Sequence, residues 1–156
     1  MVQKLSNVDV PLRVGWREWL ALPDLGIPAI KAKIDSGART SALHAFEVSP
    51  YQVAGRDHVR FRLHPVQRRT DIVAQCSAEV SDRRWVSDSG GHRELRYVIT
   101  TTVQIGAYTW PIELTLTDRD PMQFRMLLGR TAMRGRLIID PKASYLFGKH
   151  THPRKA

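Results

Sequence analysis

The sequence predicts an all-β fold, in which the strands close into a barrel and one short helical turn lies near the C-terminal end. Three observations support this prediction. About ten short segments alternate apolar and polar residues at the spacing of hairpins. Almost no stretch has the 3.6-residue period of an amphipathic helix. Glycine and proline residues fall between the segments, where turns are needed.

Residues 12–147 are predicted to form a single domain. The chain has 156 residues, which is enough for one well-filled core, and no internal repeat or linker divides it. Residues 1–11 are expected to be a loose arm, and residues 148–156 a flexible basic tail.

The first half of the chain is predicted to form four strands separated by turns. Pro-Asp-Leu-Gly at residues 23–26 is a turn signal, and Ser-Pro-Tyr at residues 49–51 is expected to end the third strand. In the fourth strand, Val59, Phe61 and Leu63 alternate with arginines, so one face should be buried and the other basic. The predicted strands are residues 12–20, 29–34, 41–48 and 59–63.

The second half is predicted to contain five more strands and one helical turn. The helical turn covers residues 131–134 and precedes the last strand. Residues 81–94 have no regular pattern, and the pair Gly90-Gly91 within them suits the tip of a hairpin. The predicted strands are residues 72–80, 96–105, 109–117, 125–129 and 136–140.

The charge of the chain favours an anionic partner. There are 24 lysine and arginine residues against 15 aspartate and glutamate residues, which gives a net charge of +9. Such a surface attracts nucleic acid, acidic peptides or anionic membranes. The basic residues are dispersed, however, with no aromatic-and-basic signature of nucleic-acid binding and no basic amphipathic helix. Nucleic acid and membrane are therefore not the partners that we expect.

The cysteine content and the N-terminal residues indicate a cytoplasmic protein. The single cysteine, Cys76, excludes an intrachain disulfide and fits a reducing compartment. We expect it to be a small apolar residue of the core. The N-terminus lacks the apolar segment of a signal peptide, and no apolar run approaches the length of a membrane span.

The residue with the clearest chemical role is Asp35. Ile30, Ala32 and Ile34 alternate with two lysines in the pattern of a half-buried strand. That strand delivers Asp35 to a turn in which Gly37 leaves room for another backbone to approach closely. A carboxylate in this position can act as a general acid or base.

Two motifs resemble those of retropepsin-type aspartic proteases. The residues Asp35-Ser36-Gly37-Ala38 resemble the catalytic turn of these enzymes, and residues 126–130, Met-Leu-Leu-Gly-Arg, resemble their second signature. Residues 33–45 are especially similar to a bacterial group of retropepsin-like domains that is often labelled "ATP-dependent zinc protease". Between the two motifs, a glycine-tipped hairpin and two further strands follow in matching order. The likeness covers roughly residues 10–147.

The resemblance implies a closed retropepsin-like barrel and an aspartic endopeptidase that works as a homodimer. Peptide hydrolysis by this route needs two carboxylates that share one proton around a single water. In retropepsins the second carboxylate comes from a symmetric partner, so Asp35 is expected to meet Asp35 of another copy. The bacterial group is associated with ligases that add glutamates to protein tails, which makes a glutamate-rich peptide the expected substrate.

The resemblance also assigns supporting roles around Asp35. Ser36 should hydrogen-bond across the dimer, Gly37 should admit the substrate backbone, and Arg39 and Thr40 should border the cleft. The expected site residues are Ser36, Gly37, Ala38, Arg39 and Thr40 in the turn; Asp88, Ser89, Gly90 and Gly91 in a flap; and Leu127, Leu128, Gly129 and Arg130 in the second signature.

One position departs from the retropepsin pattern. The arginine of the second signature, here Arg130, ordinarily pairs with an acid two residues beyond the catalytic glycine. That position is Arg39 in this chain, so Arg130 must find another acid, such as Asp140, or the dimer must be held differently. The same departure makes the cleft more basic, which agrees with an acidic substrate.

Other interpretations of the motifs remain open. Asp88-Ser89-Gly90 repeats the triplet of the turn and could supply a second carboxylate, although it is better placed as a flap tip. The fold could also belong to an inactive module that binds acidic peptides or, less expectedly, nucleic acid. No cofactor and no catalytic metal are expected, because the six histidines include no His-Glu-x-x-His pair. The best histidine pair, His150 and His152, lies in the tail.

Overall fold

The computed structural model describes residues 3–4, 11–67, 69–87, 90–118 and 124–148. Strands dominate this part of the chain, with a 3₁₀ turn at Pro23–Leu25 and one short helix, α1, at Arg130–Met133. The strands are β1 (Gln3–Lys4), β2 (Leu12–Gly15), β3 (Arg17–Leu22), β4 (Ile27–Ile34), β5 (Ser41–His44), β6 (Phe46–Val53), β7 (Arg56–Leu63), β8 (Ala74–Ser87), β9 (Arg93–Ile105), β10 (Tyr108–Thr117), β11 (Met126–Leu128) and β12 (Leu137–Asp140).

Strand pairing closes a ring. The order is β10, β5, β11, β4, β3 and β9, after which β9 pairs with β10 again. The pairings of β10 with β5 and of β11 with β4 are parallel, and the others in the ring are antiparallel. The predicted all-β fold is therefore confirmed, with its strands arranged around a common core.

The core follows from the alternation in the sequence. In β4, Ile30 and Ala32 are fully buried while the lysines between and after them face outwards. Trp110 of β10 lies in the core of the protein. Its indole N–H donates to the carbonyl oxygen of Ala132 at 2.9 Å, and this hydrogen bond joins α1 to the ring. The largest fully buried side chains are Trp110, Phe61, Leu20, Leu22, Ile27, Ile30, Leu43, Leu63, Ile99, Ile105, Leu114 and Met126.

Outside the ring, β9 continues into an arm of antiparallel strands. The arm runs β9, β8, β7, β6, so β6 is its free edge. The β8–β9 hairpin is the longest element, with strands of 14 and 13 residues. Its far half, beyond the pairing of Val80 with Ile99, projects past the ring as a flap would.

The C-terminal segment crosses β2 and β3 and is fixed there by backbone bonds. Trp16 N–H donates to the carbonyl oxygen of Ala143, and Tyr145 N–H donates to that of Arg17, at 2.9 and 3.0 Å. The carboxylate of Glu18, which is fully buried, accepts from Leu146 N–H at 3.0 Å. Strand β12 pairs with β2 in a separate two-stranded parallel sheet.

Some boundaries differ from the sequence prediction. The expected break at residues 49–51 is wrong, because these residues lie inside β6, where Pro50 is tolerated at the free edge of the arm. The irregular segment predicted at 81–94 is wrong for its first half, since β8 continues to Ser87. The helical turn is found one residue earlier than predicted.

Several predictions concern residues at the ends. Gln3–Lys4 of the expected arm pair in parallel with Tyr108–Thr109, and the remaining residues before Pro11 lie outside the described residues. The tail beyond Gly148 lies outside them too. Among the described residues, none of the helices has the length and apolar character that crossing a bilayer requires.

Candidate active site

Asp35 lies directly after β4, where the ring ends and a tight turn begins. We call residues 35–40 the Asp35 turn. Asp35 N–H donates to the carbonyl oxygen of Leu128 at 2.9 Å, which continues the parallel pairing of β4 with β11. Because alternate residues of the preceding strand are buried in the core, the position of Asp35 is set by packed backbone. Asp35 itself is half-buried, and Ser36 and Gly37 are exposed.

The Asp35 turn orients its own carboxylate. Gly37 N–H donates to Asp35 Oδ1 at 2.8 Å, and Ala38 N–H donates to the carbonyl oxygen of Asp35 at 3.3 Å. A Cβ atom at Gly37 would lie 3.0 Å from the same Oδ1, which is tighter than ordinary contacts. Glycine therefore allows the carboxylate to rest against the backbone of the turn.

The second signature holds the far side of the turn. Arg130 N–H donates to the carbonyl oxygen of Ala38 at 2.7 Å, and Thr131 N–H donates to that of Arg39 at 3.0 Å. Gly129 lies so close that an added Cβ would be 2.6 Å from the carbonyl carbon of Thr40. The predicted turn and second-signature residues are thus brought together by the fold.

Arg130 does not pair with Asp140, one of the partners considered for it. Its Nη1 donates to the carbonyl oxygen of Ser36 at 2.8 Å, within the Asp35 turn. The carboxylate of Asp140 instead pairs with Arg13, and hydrogen bonds from Arg13 and from the backbone N–H of Lys142 hold the pKa of Asp140 below its usual value. Arg130 therefore braces the turn through a carbonyl group rather than through an acid.

The other predicted cleft residues lie as follows. Leu127 is half-buried and pairs with Lys33 and Ala42, whereas Leu128 is fully buried. Arg39 is exposed and Thr40 is half-buried. The expected hydrogen bond of Ser36 across a dimer involves a second copy and stays a prediction.

The structure describes two of the four predicted flap residues, and the flap itself stays a prediction. Gly90 and Gly91 lie in the connection between β8 and β9, and Gly91 has a φ of 82°, which favours glycine. Asp88 and Ser89 lie outside the described residues. The alternative in which Asp88 supplies a second carboxylate therefore stays a prediction. Before the tip, Trp85 is cross-strand to Leu95, and both are exposed, at 62% and 44%.

A salt-bridge network holds the β8–β9 hairpin to strand β10 of the ring. Arg84 on β8 donates to both carboxylate oxygens of Glu113 on β10, at 2.9 and 2.7 Å, and pairs with Asp82 at 2.6 Å. The hydrogen bonds from Arg84 lower the pKa of Glu113, with a smaller contribution from the charge of Arg39.

An open groove lies beside the Asp35 turn. Its volume is about 260 Å³, and its apolar floor is flanked by two arginines. It is lined by Ser36, Arg130, Met133, Arg134, Leu137 and Ile139. The groove is thus an open, partly apolar surface next to the Asp35 turn.

The histidines that the structure describes do not form a metal site. His44 is buried, and its Nε2 lies 3.2 Å from the carbonyl oxygen of Asp118, which is a packing and hydrogen-bonding role. The described residues contain no group of three or more histidine, cysteine, aspartate or glutamate side chains placed to hold a metal ion. His150 and His152 lie outside the described residues, so the absence of a catalytic metal stays a prediction.

Sequence reasoning missed one residue that supports the site, Ser41, and one that fixes the C-terminal segment, Glu18. Ser41 Oγ accepts from Gly129 N–H at 3.0 Å and is fully buried between the two signatures. Glu18 accepts a hydrogen bond from Gly15 N–H at 2.7 Å in addition to that from Leu146. A buried hydroxyl and a buried acid in otherwise apolar strands were the available signals. Without the strand pairing, however, the sequence does not show whether such a residue is buried or faces solvent.

Comparison with known proteins finds relatives that are named as glutamate ligases. A protein of Shewanella halifaxensis named "Probable alpha-L-glutamate ligase" is 48% identical over 136 residues, which are 87% of this chain and 30% of that protein. A protein of the same name from Parasynechococcus marenigrum is 48% identical over 86% of this chain and 29% of its own length. The chain thus spans less than a third of the length of these curated relatives.

A solved structure and a family model add to the comparison. The crystal structure of the Legionella pneumophila protein Lpg0085, of unknown function, superposes with a TM-score of 0.74 at 22% identity, over 88% of this chain and 99% of that one. This likeness supports the fold alone. The family model described as "Retropepsin-like aspartic endopeptidase RimB" matches residues 13–150, which include both signatures. The chain therefore belongs to the RimB-like family of retropepsin-like aspartic endopeptidases.

Proposed function

We propose that the protein is an aspartic endopeptidase in which two Asp35 carboxylates, one from each of two copies, activate water to hydrolyse a peptide bond. The observation that carries the proposal is the fixed geometry of the Asp35 turn. One carboxylate oxygen is held by Gly37 N–H, and the turn is bound on its other side to Leu128 and Arg130. Such rigidity is what a catalytic carboxylate requires.

In the proposed reaction, one Asp35 carboxylate takes a proton from water while the other, protonated, donates a hydrogen bond to the scissile carbonyl oxygen. The water oxygen attacks the carbonyl carbon, the C–N bond breaks, and a proton is transferred to the leaving nitrogen. Two carboxylates are needed, and Asp35 supplies one per chain. A twofold axis next to the Asp35 turn would bring the second.

The groove beside the Asp35 turn supports this pairing. It is apolar at its floor and lies next to the exposed Ser36, so it offers area for a partner at the point where the second carboxylate must arrive. The homodimer is therefore part of the proposal.

Acidic peptides rich in glutamate are the substrates that we propose. Arg39 stands where retropepsins carry an acid, is exposed, and makes no ion pair within the described residues. The relatives named as glutamate ligases carry a similar segment alongside other sequence, and their name supports the proposal of a glutamate-bearing substrate. The single cysteine agrees with activity in the cytoplasm.

The test is cleavage of glutamate-rich peptides by the protein and by its Asp35→Asn variant. A fluorogenic hexaglutamate peptide is incubated with each protein between about pH 4 and 7, and products are identified by mass spectrometry. We expect cleavage by the native protein and a loss of at least about a thousandfold in Asp35→Asn, because the general base is removed. Asp57→Asn, which changes an exposed aspartate on β7, is the control and should retain full activity.

Cleavage that persists in Asp35→Asn would exclude this mechanism. Tight binding of the peptide by both proteins without any cleavage would instead favour a binding module that keeps the fold. A β-strand of the peptide added to the protein would then provide the affinity.

A further inference from the structure

The described acids are distributed unevenly around the molecule. Six described arginines, five of them in the arm of β6 to β9, are each paired with a carboxylate. These pairs are Arg13–Asp140, Arg56–Glu79, Arg62–Glu47, Arg69–Asp71, Arg84–Glu113 and Arg96–Glu94. In contrast, Arg17 on β3 and Lys31 and Lys33 on β4 form no ion pair with any acid in the part of the chain that the structure describes. We call these three residues the cationic row.

The cationic row starts beside Asp35. Lys31 and Lys33 alternate with the buried residues of β4, and Asp35 follows at the next position of the same alternation. Arg17 is the direct cross-strand partner of Lys33, and Trp19 is that of Lys31. Residues two apart on a strand are about 6.6 Å apart, so the row covers roughly 13 Å of surface leading away from the carboxylate.

Aromatic rings hold two of the cations in place. The guanidinium of Arg17 lies 4.6 Å from the ring centre of Trp16 and 4.9 Å from that of Tyr145. The ammonium of Lys31 lies 5.5 and 5.7 Å from the ring centres of Trp19 and Tyr145. Arg17 Nε also donates to Ser144 Oγ at 3.2 Å. The cation–π contacts themselves restrict the side chains without using any hydrogen-bond donor. The charges are thus positioned before any ligand arrives.

We propose that the cationic row binds the carboxylates of an extended acidic peptide on one side of the bond to be cleaved. The inference rests on the proposed function, because it places the peptide across Asp35. An extended peptide repeats its side chains on one face at the same interval of about 6.6 Å that separates Lys33 from Lys31. Alternate glutamates of one strand can therefore meet successive cations of the row.

A peptide fits the row better than a nucleic acid does. Proteins that bind single-stranded nucleic acids need free aromatic faces on which bases can stack. Here Arg17 and Lys31 lie over the rings of Trp16, Trp19 and Tyr145, so these faces are already occupied. The row offers charge without a stacking platform.

The test measures binding rather than cleavage, in the Asp35→Asn protein. The probe is fluorescein-labelled hexaglutamate, and its anisotropy is followed against protein concentration at several salt concentrations, with hexaglutamine as the neutral reference. The test variant adds Lys31→Gln and Lys33→Gln. The control adds Arg60→Gln and Arg62→Gln, which remove two exposed cations at the same spacing on β7, one of them paired with Glu47, away from β3 and β4 in the sheet order.

We expect the test variant to bind hexaglutamate about tenfold more weakly and with a shallower dependence on salt, because two charge contacts are lost. The control should stay within about twofold of the parent, and circular dichroism should show the same fold in all three proteins.

Four results would overturn the cationic row as a peptide site. The first is that the test variant binds hexaglutamate as tightly as the parent, and the second is that the control weakens binding as much as the test variant does. The third is that a labelled oligothymidylate binds more tightly than hexaglutamate and depends on the same lysines. The fourth is that the parent does not bind hexaglutamate. Cleavage by the native protein is measured separately. The endopeptidase can therefore stand while the row fails, or the row can stand while cleavage is absent.

Discussion

At the scale of single residues, Glu18 shows how a buried charge can organise loops. Its side chain has no exposed surface, and its carboxylate accepts three backbone N–H groups, from Gly15, Leu146 and Phe147, at 2.7, 3.0 and 3.4 Å. The carboxylate thus replaces water for backbone groups of two segments that are distant in sequence.

We expect Glu18→Ala to lower the free energy of unfolding by about 3 kcal/mol, because three buried N–H groups would lose their acceptor. Glu18→Gln should cost only about 1 kcal/mol. Its remaining oxygen can serve Gly15 and Leu146, which both bond to the same Oε2, while its amide faces the longer contact to Phe147. Urea unfolding at neutral pH measures both values. Equal losses in the two variants would contradict this account.

Cys76 is a residue whose place could be predicted from the sequence. It is buried, its Sγ lies 3.4 Å from the carbonyl oxygen of Leu25, and burial raises the pKa of the thiol to about 11. A lone cysteine within an alternating strand has few roles other than packing in the core, so the sequence pattern was sufficient to predict its burial. Glu18 is the opposite case, because its partners come from a loop whose path the sequence pattern does not reveal.

At the scale of elements, the Arg84–Glu113 salt bridge connects strand β8 to strand β10 across the intervening β9. Hydrogen bonds from Arg84 lower the pKa of Glu113 from its ordinary value of 4.5. The stabilisation is therefore complete above pH 4.5, and it is lost as the pH falls through the lower pKa of the folded state.

We expect Glu113→Gln to reduce stability by less than about 1 kcal/mol at pH 7, since the pair is partly exposed. The difference from the native protein should shrink below pH 4.5, because the carboxylate of the native protein is then protonated too. The urea midpoint of both proteins is measured from pH 7 to pH 3. In an Arg84→Gln background the substitution should have little effect, and an unchanged difference at low pH would contradict the role of this pair.

Alternation predicted the strands that have one buried face, and it failed elsewhere. β4 and β7 were found because buried and exposed residues alternate along them. The second half of β8 was missed because residues such as Asp82, Arg83 and Trp85 are exposed beyond the ring, so no apolar face marks it. In β6, Pro50 suggested a break, but a free edge accepts a residue that lacks an N–H group.

At the scale of the whole molecule, the proposed site is incomplete in one chain, and this leads to a prediction for mixtures. Native and Asp35→Asn proteins are combined in equal amounts, allowed to exchange partners, and assayed with the hexaglutamate peptide. Random pairing leaves about one pair in four with two Asp35 residues, so activity should fall to about a quarter of that of the same total of native protein. A site formed within one chain would retain about a half. Mixing with Asp57→Asn should leave the activity unchanged.

The motifs of the candidate site could be identified in the sequence, but the contacts that support them could not be predicted. Asp35, Gly37 and Gly129 belong to short motifs that are legible in the sequence. The support of the turn by Ser41 and the position of Arg17 opposite Lys33 depend on strand register, which is set only when distant strands pair.

The closure of the ring has a consequence for how the protein reaches its native state. The contact of Arg130 with Ser36 spans 94 positions, and that of Gly129 with Ser41 spans 88. Each such contact requires the closure of a large loop before any stabilisation is gained, and the parallel pairing of β4 with β11 adds to this demand. Folding should therefore be slow for a domain of this size. The β8–β9 and β9–β10 hairpins can form early from local contacts, whereas the Asp35 turn, although it lies near the start of the sequence, acquires its native support among the last parts of the chain.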